Sequence, residues 1–299
     1  MGMERSAAAV SPSFPDPIPD AQARLLMSAE GIPNFVQYTL AATVLATTAL
    51  VFMSRRWCLP ARRISPIIGG SAAAAVMAGW ALSRGAVSGT TLFTLTGVSQ
   101  TVVFVVCVLW LFYRDPERTV PSDSGLVISP ADGTIIYIRQ LAAGETVQSE
   151  KNAALIQLDE LRSSAVANEA LWQIGISMVF TDVHINRAPI AGKVVQLEHK
   201  PGKFLSLRRT EAVNVNERQT LLIEGAGLVV VLVQIASRLV RQIAAYVKVG
   251  EEVVRGQRVG IIKFGSQVDM LLPVRRIERL DVNVGQRVIA GVTIVAHHN

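Results

Sequence analysis

A glycine and a serine adjoin inside the apolar stretch "IIKFGSQVDMLLP" at residues 261–273. A β-bulge or a tight bend would explain a glycine at this place in a strand. The pair Gly265-Ser266 also permits chemistry, because glycine tolerates the strained backbone in which a serine hydroxyl reaches the preceding carbonyl carbon. That attack gives an ester, and elimination followed by hydrolysis leaves a pyruvoyl group on the new N-terminus. Both interpretations stay open on these residues alone.

Self-cleavage needs a base that removes the Ser266 hydroxyl proton, and the chain has four histidines. His297 and His298 lie at the C-terminal end, where chains fray. His199 lies in "LEHKPG", which is typical of an exposed polar turn. His184 follows an apolar strand pattern in "VFTDVHINRAP", and polar residues at a strand end often form sites. His184 is therefore the best candidate, although a single histidine is more often structural.

Asp132 is a second polar residue at a predicted corner, in "VISPADGTI". Asp-Gly is an ordinary turn signal, so this position carries little weight by itself. We find no cluster of residues with convincing metal-ligand spacing. Cys58 and Cys107 lie in or beside apolar runs, and two thiols do not make a disulfide framework.

Three apolar runs precede these residues, and the mean hydropathy of +0.38 is high for a soluble protein. Residues 35–53 carry no charge and have the length of a membrane span. Residues 67–82 form a shorter run rich in Gly and Ala, which suits close helix packing but also a re-entrant segment. Residues 91–113 are long enough to span and end in an aromatic and basic anchor that includes Arg114.

The positive-inside rule places the loop between the first two runs in the cytoplasm, because it contains Arg55, Arg56, Arg62 and Arg63. Three spans would return the chain to the cytoplasm after Arg114, whereas two spans would leave residues 114–299 outside. We expect three spans in the inner cell membrane and a cytoplasmic C-terminal domain. The net charge of +6 fits anionic lipid better than nucleic acid, because the basic residues form no aromatic-basic stripe.

The C-terminal part has a mainly β pattern of short Val, Ile and Leu bursts separated by turn residues. An internal repeat relates "VKVGEEVVRGQRVGII" (247–262) to "VNVGQRVIAGVTIV" (282–295), and its pattern is that of the hairpins in lipoyl- and biotinyl-like barrel-sandwiches. Lys263 lies between the repeats but lacks the acidic turn of a carrier lysine. Only the region "KNAALIQLDELRSS" (151–164) looks helical.

Three segments follow from these patterns. We expect a flexible N-terminal segment at 1–31, a transmembrane helical region at 32–113 and a catalytic barrel-sandwich domain at 114–299.

Four segments together resemble the phosphatidylserine decarboxylase proenzymes, in particular the short branch with N-terminal membrane segments. They are "FYRDPERTVP" (112–121), "SPADG" (129–133), "DVHINRAP" (182–189) and "FGSQVD" (264–269). The resemblance implies self-cleavage between Gly265 and Ser266, which yields a large chain and a small chain that begins with a covalent pyruvoyl group. That group would form an imine with phosphatidylserine and release CO₂ to give phosphatidylethanolamine.

The resemblance also implies a catalytic triad of Asp132, His184 and Ser266, in which Asp132 orients the imidazole. Two departures from the long branch are Phe264-Gly265-Ser266-Gln267 in place of Leu-Gly-Ser-Thr, and Arg187 in place of a second histidine. One imidazole must then serve both processing and decarboxylation, unless another group shares the work.

Arginines near the motifs are candidates for the lipid phosphate, since guanidinium matches phosphate geometry: Arg114, Arg118 and Arg187. Anchoring at the membrane interface is the alternative role for Arg114. Phe204, Leu205 and Leu207 either dip into lipid or belong to a plain loop. The expected partners are phosphatidylserine, membrane lipid and the two chains of one precursor, with a homo-oligomer left open.

Two other functions fit the same residues. A pyruvoyl enzyme acting on another amine-bearing carboxylate would keep Ser266 and change the substrate pocket. A non-enzymatic, membrane-anchored β-module would keep its chain intact.

Overall fold

The structure is a computed structural model that describes residues 34–56, 59–84, 87–151, 154–157, 166, 168–201, 217–236, 242–263 and 266–299. The expected flexible segment 1–31, the apolar residues of 204–207 and Gly265 lie outside the described residues. The chain divides into two compact units, one of residues 1–50 and 69–103 and one of residues 51–68 and 104–299.

Three helices, each long and apolar enough to cross a membrane, precede the β-rich part: α1 (Asn34–Arg56), α2 (Ala61–Leu82) and α3 (Gly89–Tyr113). The second helix begins at Ala61, six residues before the apolar run predicted at 67–82, and is therefore 22 residues long. That length favours a full crossing over a re-entrant segment.

Small and polar residues hold the helices of the first unit together. A Cβ built on Gly79 of α2 would lie 2.7 Å from the Thr39 side chain of α1, so only glycine allows this approach. The Gln100 Nε2 of α3 donates to the Thr47 Oγ1 of α1 at 2.8 Å. Close approach at small residues and interhelical hydrogen bonds are how helices associate in lipid, where the hydrophobic effect gives no help.

The described residues of the second unit contain sixteen strands in antiparallel pairs: β1 (Leu126–Ile128), β2 (Gly133–Leu141), β3 (Gln148–Lys151), β4 (Ala154–Gln157), β5 (Leu171–Met178), β6 (Ile185–Arg187), β7 (Gly192–Lys200), β8 (Arg218–Gly225), β9 (Leu228–Ala236), β10 (Gln242–Ala245), β11 (Glu252–Val253), β12 (Arg258–Lys263), β13 (Ser266–Pro273), β14 (Ile277–Leu280), β15 (Arg287–Val288) and β16 (Ile294–His298). A short 3₁₀ turn, Val274–Arg276, joins β13 to β14.

The largest sheet has eight strands in the order β11-β7-β8-β9-β13-β5-β2-β15, and three-stranded sheets β1-β16-β14 and β10-β12-β6 accompany it. Its curled core face includes Val268, Met270 and Leu272 of the central strand β13, all fully buried. The intervening Leu271 packs in a second, smaller cluster, as alternation along a strand requires. The predicted fold class, a mainly β domain preceded by apolar helices, is confirmed.

The internal repeat forms two matching turn-and-strand units. In the first, Gly250 N–H donates to the Val194 carbonyl, and β11 pairs with the start of β7. In the second, Gly285 N–H donates to the Ile135 carbonyl, and β15 pairs with the start of β2. The repeated glycines all have left-handed φ, which other residues rarely adopt: +91° at Gly250, +85° at Gly285, +81° at Gly256 and +78° at Gly291.

Two local predictions were wrong. Residues 151 and 154–157 of the expected helix lie in strands β3 and β4, which pair with each other and place Gln148 opposite Gln157. Residues 152–153 and 158–164 of the expected helix lie outside the described residues. His199 belongs to β7 and faces Gln219 in the register, so the expected polar turn is a strand.

Candidate active site

His184 lies at the end of the loop between β5 and β6 and is completely buried. The loop is closed by a turn in which Asp182 N–H donates to the Val179 carbonyl and Val179 N–H donates to Asp182 Oδ2 at 2.9 Å. The imidazole Nδ1 lies 2.8 Å from the Asp182 carbonyl oxygen. A carbonyl only accepts, so Nδ1 carries the proton and the neutral ring presents its lone pair at Nε2.

The Nε2 atom of His184 is buried and has no hydrogen-bond partner among the described residues. The ring lies against Phe112, with centroids 4.2 Å apart. Burial, the largest cause, lowers the pKa of His184 from 6.5 to about 4, although the Asp182 carbonyl and carboxylate act in the opposite direction. The imidazole is therefore neutral at physiological pH, which is the state a general base requires.

The lowered pKa predicts a specific pH dependence of stability. Between pH 6.5 and about 4 the unfolded chain binds a proton at His184 and the folded chain does not. Stability should therefore fall as the pH falls through this window, by about 3 kcal/mol in total from this residue. Unfolding of the uncleaved Ser266→Ala protein should be compared with Ser266→Ala/His184→Gln in neutral detergent at several pH values. Identical pH dependence of the two proteins would contradict the assignment.

Asp132 is held by a cation and by the backbone. Arg118 donates from Nη1 to Oδ1 at 2.6 Å and from Nη2 to Oδ2 at 2.9 Å, and Ala290 N–H donates to Oδ1 at 2.9 Å. Within the described residues no hydrogen bond joins Asp132 to His184. The expected orienting contact from Asp132 is thus replaced by the Asp182 carbonyl, while the Asp132 charge still acts on the His184 pKa.

The internal repeat relates Asp132 to a residue without a carboxylate. Val288 pairs with Gly133 in one unit and Val253 pairs with Gly192 in the other, so Asp132 corresponds to Ala191. The contact between Asp132 and Arg118 therefore has no counterpart at Ala191.

The strand ends on either side of residues 264–265 are joined to the His184 loop through the backbone. On one side, Ile262 N–H donates to the His184 carbonyl at 3.2 Å. On the other, Ser266 opens β13 and pairs with Met178, the last residue of β5 before the loop. The end of β12 and the start of β13 are therefore both joined to the segment that carries the imidazole.

Strand β13, which begins at Ser266, contains a buried carboxylate. Asp269 is fully buried and accepts hydrogen bonds from the Tyr137 hydroxyl at 2.6 Å and from Nε2 of Gln173 and Gln267, each at 2.7 Å. A polar group so buried costs free energy unless it is hydrogen-bonded. This network fixes Gln267, the residue directly after Ser266.

The three candidate phosphate arginines lie in different surroundings. Arg118 is committed to Asp132 and to the Ala290 carbonyl. Arg187 donates to Asp115 at 3.2 Å and to the carbonyls of Pro116 and Gly256, and burial lowers its pKa. Their side chains are only 8% and 5% exposed. Arg114 directly follows α3 and donates to the Thr181 carbonyl at 2.9 Å, beside the His184 loop.

Sequence reasoning missed the residues that surround Asp182. Arg63 Nη1 lies 2.9 Å from Asp182 Oδ1, and Arg287 donates to the same oxygen. In the sequence, Arg63 indicates only membrane topology, and no local pattern distinguishes Arg287 as a site residue. These contacts join residues more than a hundred positions apart, so no local pattern indicates them. Across the described residues no group of three or more His, Cys, Asp or Glu could hold a metal ion.

Comparison with known proteins gives a consistent result. The family model described as phosphatidylserine decarboxylase matches residues 108–296. A phosphatidylserine decarboxylase proenzyme of Erythrobacter litoralis is 39% identical over 200 residues, which cover 67% of this chain and 76% of that protein. The proenzyme of Pelobacter propionicus is 35% identical over 231 residues, covering 77% of this chain and 92% of that protein. One from Geobacter sp. strain M21 is 37% identical over 200 residues.

Proposed function

The chain belongs to the phosphatidylserine decarboxylase family, and we propose on that premise that it decarboxylates phosphatidylserine after cleaving itself between Gly265 and Ser266. The observation that carries the proposal is the buried, neutral His184, whose Nε2 lone pair has no partner among the described residues. A base of this kind is what the processing of Ser266 and a later proton transfer both need.

Self-cleavage is assigned to three groups of this chain. His184 Nε2 takes the Ser266 hydroxyl proton, and Oγ attacks the Gly265 carbonyl carbon, so that the amide becomes an ester and the Ser266 nitrogen becomes a free amine. Removal of the Ser266 α-proton then expels the Gly265 carboxylate and leaves dehydroalanine. Its imine tautomer takes up water and loses ammonia, which leaves a pyruvoyl group. The Asp182 carbonyl keeps the proton on Nδ1 throughout.

The residues around His184 fit the chemistry that a pyruvoyl group at position 266 would need. Its carbonyl supplies an electron sink for a carboxylate that bears an amine. Phe112 packs against the fully buried His184 imidazole, and Phe180 packs against Phe112 with ring centroids 4.9 Å apart, so water has little access to the base. His184 would return a proton to the carbon that loses CO₂, and Asp132 would favour the transient imidazolium by its charge.

The apolar helices suit a lipid substrate, because a site fixed beside the bilayer meets phospholipid without extracting it. We propose that three spans place the β-rich domain on the cytoplasmic face of the inner membrane, because Arg55, Arg56, Arg62 and Arg63 lie at the end of α1 and the start of α2. Processing would leave residues 1–265 and 266–299 as the two chains of one enzyme.

The substrate is tested by CO₂ release from labelled substrates in neutral detergent. The mature protein should release CO₂ from phosphatidylserine and not from free serine at the same concentration. Equal release from free serine would favour a pyruvoyl enzyme of soluble substrates. An intact chain that releases CO₂ from neither would favour the non-enzymatic β-module.

A further inference from the structure

Three arginines from separate parts of the second unit converge on the loop that carries His184. Arg63, in the first turn of α2, donates from Nη1 to the Thr181 carbonyl at 2.7 Å and to Asp182 Oδ1 at 2.9 Å. Arg114 donates to the same Thr181 carbonyl at 2.9 Å, and Arg287 donates to Asp182 Oδ1. We call Arg63, Arg114 and Arg287 the arginine cluster.

The arginine cluster carries more positive charge than its surroundings neutralise. Its only directly paired carboxylate among the described residues is Asp182, whose side chain is fully buried. The nearby Asp132 is bound in a bidentate contact by Arg118, an arginine outside the cluster. Burial is the largest cause of the lowered pKa of Arg114, and repulsion from the Arg63 charge is the second. An anion placed here would relieve that repulsion.

The arginine cluster is also accessible. The side chains of Arg63 and Arg287 are 37% and 45% exposed, in contrast to the buried Arg118 and Arg187. Each guanidinium has five donors, and the contacts described use one nitrogen of Arg63 and one of Arg287. Donors therefore remain for a ligand that arrives from solvent.

The position of the arginine cluster suggests which anion it binds. Arg63 lies at the start of one apolar helix and Arg114 directly after the end of another, both of a length that crosses a membrane. Helix ends of this kind lie at the level of the lipid headgroups. The Thr181 and Asp182 groups that they contact are three and two residues from His184.

We propose that Arg63, Arg114 and Arg287 form the site for the phosphodiester of an anionic phospholipid headgroup. This inference rests on the proposed function and deepens it. It places the substrate phosphate beside the Thr181–Asp182 segment, which is two residues from the base His184. Planar guanidinium groups match the phosphate oxygens in geometry and charge. Arg118 and Arg187 then keep the β-rich domain and the 114–118 segment together and do not contact the lipid.

The binding test uses glycerophosphoglycerol, a soluble phosphodiester that has neither an amine nor acyl chains. It should raise the thermal midpoint of the detergent-solubilised full chain, and the shift should be lost in Arg63→Gln/Arg287→Gln. Arg275→Gln is the matched control, because Arg275 pairs with Glu169 away from the cluster. Protection by inorganic phosphate alone, without protection by the diester, would overturn the assignment to a lipid headgroup. If the double variant does not accumulate, the thermal shift with glycerophosphoglycerol should be measured for Arg63→Gln and Arg287→Gln separately, and it should be reduced in each.

Asp182→Asn separates ligand binding from a purely structural role. Removing the carboxylate leaves the arginines without their competitor, so the diester shift should persist. If the arginines served only to hold Asp182, Asp182→Asn would reproduce the loss seen in the double variant, and the proposal would fail.

The kinetic test measures decarboxylation per pyruvoyl group in neutral detergent. Each arginine variant should raise the KM for phosphatidylserine roughly ten-fold, the size expected for one charge-assisted hydrogen bond, with kcat changed much less. A fall in kcat at unchanged KM would show that the arginines act only through His184. If the wild-type chain never cleaves itself, the proposed function fails, but the thermal shift still decides whether the anion site exists.

Discussion

Replacing Ser266 with alanine is expected to leave a single uncleaved chain without decarboxylase activity. The alanine methyl group has no oxygen to attack the Gly265 carbonyl carbon, so neither the ester nor the pyruvoyl group can form. A denaturing gel should show one band of full length, where the wild-type chain should give two, of residues 1–265 and 266–299. The loss of activity should be complete, because without the hydroxyl the proposed pyruvoyl group cannot form.

The matched control is Ser177→Ala, a serine on β5 that faces Gln267 across the strand pair. It should process and decarboxylate as the wild-type chain does, which excludes a general sensitivity of this sheet to serine loss. Two fragments from Ser266→Ala would contradict the assignment of the nucleophile. A full-length Ser266→Ala chain that still releases CO₂ would contradict the pyruvoyl mechanism.

Replacing His184 with glutamine is expected to slow self-cleavage by about 10²–10⁴-fold, the usual contribution of a positioned general base. Glutamine keeps much of the volume beside Phe112 but has no basic lone pair of comparable strength. Processing is followed as the appearance of the small chain after synthesis of the precursor. His199→Gln is the control, because His199 lies on β7 with a side chain 42% exposed and contacts Glu217.

The His184→Gln protein also tests whether one imidazole serves both reactions. The fraction that cleaves slowly should be isolated and its CO₂ release measured per carbonyl group. A lower rate of CO₂ release per carbonyl group than in the wild-type protein would mean that His184 also acts in decarboxylation. Normal processing of His184→Gln would contradict its role as the processing base and direct attention to another group.

The general architecture could be predicted from the sequence because its signals are local. The charge-free runs have the length of a membrane span, and the structure has helices there. The repeated Val and Gly positions at 247–262 and 282–295 become matching turns with left-handed glycines. The helical prediction was wrong at residues 151 and 154–157, because propensity does not include tertiary context and these residues pair in strands β3 and β4.

The candidate site was only partly predictable for a physical reason. His184 was found because it follows an apolar strand in a polar loop. Its orienting partner is a backbone carbonyl, that of Asp182, and any residue type supplies a carbonyl. Arg63 and Arg287 reach Asp182 from distant parts of the chain, so their role depends on the folded structure. The Asp132–Arg118 pair is not indicated by the sequence, which suggests an imidazole contact for Asp132 and a phosphate contact for Arg118.

The mass of the small chain in mature protein tests the central claim most directly. If Ser266 becomes a pyruvoyl group, the chain of residues 266–299 should be lighter than the serine-initiated peptide by the mass of one ammonia. Its N-terminus should be blocked to sequencing and should react with a carbonyl reagent such as hydroxylamine. A fully active protein of unprocessed mass, or a small chain that begins with an ordinary serine, would contradict the account.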